Sequence, residues 1–161
     1  MLLRNARFIL LICLLCLSAC GFHLRGAADV PFKTIHIQGN TLVISKGLNR
    51  SLQYNDVKIL NSSEDAEMNL ELIGEESEKR IMSLSGRGVV REYELYYRVH
   101  YRTRLAGAET WSPVQTIESR RDFSYEDSQL LAKQAEEKRL NENMQKDVLN
   151  GLVRRLSAIK K

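Results

Sequence analysis

The sequence predicts an α+β domain, a two-layer sandwich in which an antiparallel-rich β-sheet carries two helices packed on one face. Three observations carry that prediction. Residues 89–105 alternate apolar and polar side chains over an unusually long run, directly after a glycine-flanked turn. The C-terminal region from about residue 126 to 157 repeats apolar residues at helical spacing, with charges on the opposite side. A second, shorter helical stripe lies between two short strand-like runs near residues 33–60.

In order along the chain, residues 33–38 alternate, with Ile35 and Ile37 on one side, and read as a short strand ended by Gly39-Asn40. Residues 45–54 read as a short helix. Ser45 is placed to act as its N-cap, and Leu48 and Leu52 fall on one face. Asn55-Asp56 turns the chain into a strand at 57–60, and a polar loop follows at 61–67. Met68, Leu70 and Leu72 alternate in a further strand that resumes through Ile81 and Leu84. Ser85-Gly86-Arg87-Gly88 supplies a hairpin turn, since glycine reaches positive φ without steric cost.

In the long run 89–105, the odd positions include Tyr93, Leu95, Tyr97, Val99 and Tyr101. The even positions include Glu92, Glu94, Arg98, His100, Arg102 and Arg104. One face is therefore core and the other solvated. Residues 106–109 turn the chain, and a third long strand is expected from Trp111 to about Phe123. In the last helix, Leu131, Ala135, Met144, Val148, Leu152 and Leu156 form the expected buried stripe. Ser124 is the expected cap, with Asp127 three residues on.

The N-terminus has a different character. Arg4 and Arg7 precede an apolar stretch at 8–17, too short to span a bilayer but of the length of a secretory signal. It closes on Leu17-Ser18-Ala19-Cys20, which resembles the lipobox of bacterial lipoproteins. The expected organisation is a removable signal at 1–19, a lipidated leader at 20–32 beginning with acylated Cys20, and a single domain at 33–161. Cys13 and Cys16 leave with the signal, so the mature chain forms no internal disulfide. Several acyl chains on Cys20 anchor a protein stably where one does not. Gly21 stands where many lipoproteins retained in the inner membrane carry Asp, so the outer membrane is the expected address.

Composition excludes several functions. The formal charge of +4 falls to about +2 once Arg4 and Arg7 are removed, too mild for a nucleic-acid partner. His23, His36 and His100 share no metal-ligand spacing, so no metal is expected. Ser157-Ala158-Ile159-Lys160 matches Ser-x-x-Lys without its companion motifs, and phosphate-loop and dinucleotide signatures are missing. The chain reads as a binding protein without a cofactor rather than an enzyme. Its strongest charge feature is six arginines between Arg80 and Arg104 against Glu92 and Glu94. Guanidinium forks at this density suit an anionic ligand. The plainer alternative is a solvated strand face whose charges deter edge pairing.

Several short segments, in order, resemble the LptE family of LPS-assembly lipoproteins. They are Cys20-Gly21-Phe22-His23-Leu24-Arg25, the hairpin ending in Glu92-Tyr93, Arg121-Asp122-Phe123-Ser124-Tyr125, and Leu131-Ala132-Lys133 followed by Glu136-Glu137. The resemblance implies a non-enzymatic outer-membrane lipoprotein that plugs the LptD β-barrel, helps assemble it and binds lipopolysaccharide (LPS) through basic residues. Carried onto this sequence, the implied LPS-binding positions are Arg87 at the hairpin tip, with Arg91 as its neighbour, and Lys133 in the long helix. The implied placement is on the periplasmic side of the outer membrane and inside the barrel lumen. A scaffold or pilotin-like lipoprotein that binds only protein is the alternative.

Overall fold

The computed structural model describes residues 30–159. The expected signal at 1–19, the lipidation site Cys20 and the leader as far as residue 29 lie outside the described residues. The described chain runs β1 (Thr34–Gly39), α1 (Ser45–Tyr54), β2 (Lys58–Leu60), β3 (Met68–Leu84), β4 (Val90–Leu105), β5 (Gln115–Ser124), a 3-10 turn (Asp127–Gln129) and α2 (Leu130–Ser157). It is an α+β fold. The five strands form one open sheet in the order β2-β1-β3-β4-β5.

The two long pairings, β3 with β4 and β4 with β5, are antiparallel. The two short ones, β1 with β2 and β1 with β3, are parallel. Parallel neighbours require a crossover, and α1 provides it between β1 and β2. Ser45 is the first helical residue rather than the cap. Its hydroxyl accepts the Leu42 N–H at 2.9 Å and closes the turn that leads into α1. Gly39 ends β1 at φ +94°, where an added Cβ would stand 2.3 Å from the Leu72 carbonyl oxygen. Only glycine fits there, and Asn40 then donates its backbone N–H to that same carbonyl at 2.8 Å.

A bulge explains why the apolar positions of β3 change parity. Between Leu72 and Gly74 the register against β4 slips by one residue. One extra residue moves every following side chain to the opposite face. Met68, Leu70 and Leu72 face the core before the slip, whereas Ser77, Lys79 and Ile81 pair with the core-facing Tyr97, Leu95 and Tyr93 after it.

The core lies between the sheet and the two helices. Leu48 and Leu52 of α1 and Met144, Val148, Leu152 and Leu156 of α2 are buried against Ile35, Met68, Leu70, Leu72 and the odd face of β4. Val30 and Phe32, at the end of the expected leader, are buried in the same core. The expected stripe of α2 holds only in its C-terminal part. Leu131 is 81 % exposed and Ala135 is also exposed, because the first turns of α2 run past the core. Ser124 ends β5 and does not cap α2, whose first residue follows the 3-10 turn.

Candidate functional site

The β3–β4 hairpin extends past the end of β1, which pairs with β3 only as far as Leu72. At its tip the Ser85 N–H donates to the Val89 carbonyl at 2.7 Å and the Gly88 N–H to the Ser85 carbonyl at 2.9 Å. Gly88 takes φ +78°, and the Ser85 hydroxyl accepts the Val89 N–H at 3.0 Å. This tight turn leaves Arg87 fully outside the ladder, on an exposed backbone flanked by Gly86 and Gly88. Arg91 is exposed at the start of β4.

The pairing of Glu92 with Ser124 brings the end of β5 beside the start of β4. The Tyr125 N–H donates to the Arg91 carbonyl at 2.7 Å, which fixes the exit of β5 to the hairpin. From there the 3-10 turn feeds directly into α2, so Lys133 arrives one turn into the helix on the same side. Its ammonium donates to the Ser124 hydroxyl at 3.1 Å and to Glu136 at 2.9 Å, with only 14 % of the side chain exposed.

These elements border an open cavity of about 1020 Å³ whose lining includes Arg87, Arg91 and Lys133. The three site residues expected from the sequence thus share one wall system. Serine hydroxyls at 83, 85, 124 and 128 add neutral donors, while Glu92, Glu126 and Asp127 place acids at the same cavity. Glu92 accepts the Ser83 hydroxyl at 2.7 Å. Desolvation, and then Asp127, push the Tyr125 hydroxyl above its ordinary pKa. Val89 and Val90 line the cavity, and Leu84, Leu130 and Leu131, within two residues of lining positions, are exposed.

The six arginines of the hairpin separate into three groups. Arg98 is bound by Glu78 at 3.0 Å and by Glu118, Arg102 by Glu71, and Arg80 by Glu78. Arg104 lies over the Trp111 ring at 5.0 Å. The side chains of Arg87 and Arg91 have no ion-pair or hydrogen-bond partner among the described residues, and both residues line the cavity. Arg98 and Arg102 on the even face of β4 are therefore neutralised by carboxylates, whereas Arg87 and Arg91 at the tip are not. Sequence reasoning placed Arg87, Arg91 and Lys133 but missed Ser124 and Tyr125 as their fixed neighbours. The signal for those two was the strand register, which becomes readable only once Glu92 is known to oppose Ser124.

Two of the histidines fall within the described residues, and neither takes part in a metal cluster there. The His36 ring bonds the Leu60 carbonyl at 3.0 Å and the His100 ring bonds the Thr116 hydroxyl at 2.9 Å. Both serve the sheet.

The sequence model of the family described as "LptE: Lipopolysaccharide-assembly" matches residues 32–156, most of the chain, from before β1 to the last turn of α2. The chain belongs to the LptE family. It is similar to the LPS-assembly lipoprotein LptE of Photorhabdus laumondii, with 29 % identity over 148 residues covering 88 % of this chain and 79 % of that one. Among solved structures, uncharacterized lipoprotein B of Nitrosomonas europaea aligns with a TM-score of 0.73 and 39 % identity, over 86 % of this chain and 91 % of that one. Rare lipoprotein B of Shewanella oneidensis aligns with a TM-score of 0.70 and 27 % identity, over 78 % and 94 %. LptE-family membership makes this chain an LPS-assembly lipoprotein.

Proposed function

We propose that this LptE-family lipoprotein plugs and helps assemble the LptD β-barrel in the outer membrane, and that it binds LPS at the hairpin–helix cavity through Arg87, Arg91 and Lys133. The single observation that supports the binding site best is the cavity itself, which gathers the two unpaired hairpin arginines and Lys133. Arginine binds phosphate through paired N–H donors and lysine as a point charge. LPS presents phosphates beside acyl chains, and the exposed Leu84, Val89, Leu130 and Leu131 provide apolar surface next to the basic groups. Acylation of Cys20 after removal of residues 1–19 would tether the folded domain to the membrane through the leader. The protein acts in this reading by binding rather than by catalysis, with no cofactor.

The experiment is charge reversal at two elements at once, Arg87→Asp with Lys133→Asp. Binding of purified LPS at low salt is expected to fall at least about tenfold, while the complex with the barrel persists, because Arg87 is exposed and Lys133, though partly covered, lies outside the buried core. The difference from wild type is expected to shrink at high salt, where phosphate attraction is screened. Unchanged LPS binding would remove these residues from the site. Loss of the barrel complex instead would support protein contact, the role of a scaffold lipoprotein, as their function.

A further inference from the structure

Lys79 lies on the distal part of β3, turned to the helix side of the sheet by the bulge after Leu72. A lysine there needs a reason, since the same face holds Met68, Leu70 and Leu72 before the bulge. Its ammonium stands 4.1 Å from the Tyr93 ring centre, 5.4 Å from that of Phe123 and 5.9 Å from that of Tyr125. On the remaining side it donates to Glu137 at 2.6 Å. The rings are themselves ordered: Tyr93 stacks on Phe123 at 5.8 Å and meets Tyr125 edge-on at 5.2 Å. One cation is thus boxed by three aromatic rings, from β4 and from the end of β5, and closed by a carboxylate from α2.

The position of Glu137 gives the box a consequence. It lies one helical turn after Lys133, in the part of α2 that has no core beneath it: none of residues 130–139 is buried, and the first buried residue of α2 is Met144. Helix ends without tertiary contacts fray. The cross-element polar contacts of this overhang are the Lys79–Glu137 pair and the Lys133–Ser124 hydrogen bond. Tyr125, one wall of the box, also lines the cavity.

We propose that Lys79 is a positioning residue for the LPS site: its aromatic–carboxylate box latches the overhanging turns of α2 onto the hairpin and so sets Lys133 against Arg87 and Arg91. This rests on the cavity being the LPS site. Lys79 does not line the cavity and acts through Lys133.

The test uses the full lipoprotein in detergent, with two readouts. The first is backbone hydrogen exchange without ligand. Lys79→Met keeps the aliphatic stem and removes the charge, and exchange in 130–139 is expected to rise about three- to tenfold, the scale of a cation–π contact plus a partly exposed ion pair. Exchange in 144–156 is expected to stay at the wild-type rate. The second readout is binding of purified LPS in a double-mutant cycle with Lys133→Ala. Lys79→Met is expected to weaken binding about three- to tenfold alone and to add nothing once Lys133 is gone, and Lys79→Arg to restore most of both readouts. Unchanged exchange in 130–139 overturns the latch. An equal loss in the Lys133→Ala background overturns positioning, because Lys79 would then act independently. Wild-type binding by Lys133→Ala alone would instead dismiss the cavity as the site and the positioning role with it, while the exchange readout still judges the latch.

Discussion

The two ends of this sheet are built from the same strands but do different work. In the proximal half, β1, β3, β4 and both helices bury a continuous apolar core: Ile35, Leu48, Leu70, Val99 and Leu152 are fully buried. Beyond the bulge the core thins: Leu95, Tyr97 and Phe123 stay buried on the sheet, but β3 and the first turns of α2 no longer supply buried apolar side chains. The helix-facing positions of β3 become Ser77 and Lys79, and α2 presents Lys133 and Glu137 in place of apolar side chains. The first half carries stability, because apolar burial is its main source. The second half leaves cations uncompensated beside a cavity, which folding does not reward and ligand binding does. The bulge at Ile73 is the hinge of this division, since it exchanges apolar for polar side chains on one face of a continuous strand.

The largest effect is expected from a truncation where the core reaches the distal hairpin, at the β4 residue paired with Lys79. Leu95→Ala, at a residue 2 % exposed under the core, is expected to cost about 2–5 kcal/mol in a denaturant titration, and a cost near zero would mean the faces of β4 are reversed. Leu131→Ala, also a leucine but on the distal overhang, is expected to change stability by less than about 0.5 kcal/mol. Its effect is expected instead on LPS binding, through lost apolar surface at the cavity mouth. A stability loss comparable to that of Leu95→Ala would place a core beneath the first turns of α2.

A smaller effect concerns the arginine–carboxylate pairs on the outer face. Hydrogen bonds from Arg80 first, and Arg98 second, hold the Glu78 carboxyl below its ordinary value of 4.5. A depressed folded pKa contributes stability above the unfolded value, and that contribution is lost as pH falls through the folded one. Glu78→Gln is therefore expected to lower the melting temperature slightly at pH 7, with the gap closing as pH falls through the lowered folded value of Glu78. A gap that persists at acid pH would mean that Glu78 stabilises through packing rather than charge. Because the pair is exposed, the effect is small at any pH.

Much of the fold is legible in the sequence because periodicity reports burial directly. Tyr93 to Thr103 alternate as a half-buried strand must, and Met144 to Leu156 hold their helical spacing over a real core. The expected stripe fails at Leu131 and Ala135 because spacing shows which residues share a helix face but not where the underlying sheet stops. The two parallel pairings were hidden for a related reason: β1 and β2 are short, and strand direction is set by the α1 crossover rather than by any residue pattern. At the site, Arg87, Arg91 and Lys133 were reached through charge and family resemblance, but the convergence of the three depends on tertiary register. Ser124 and Tyr125 stand out in the sequence only as an expected cap and as part of a family-like segment, because a hydroxyl does not show which cations it adjoins until its neighbours across the sheet are known.

The most direct test of the division is a photocrosslink from single positions in cells. A photoreactive residue at Gly86 or Ser128, beside the distal cavity, is expected to label LPS, and one at exposed Lys58 on the proximal edge strand is expected not to. Labelling confined to the distal positions is the result this account predicts. Equal labelling from Lys58, or none from either distal position, would contradict it.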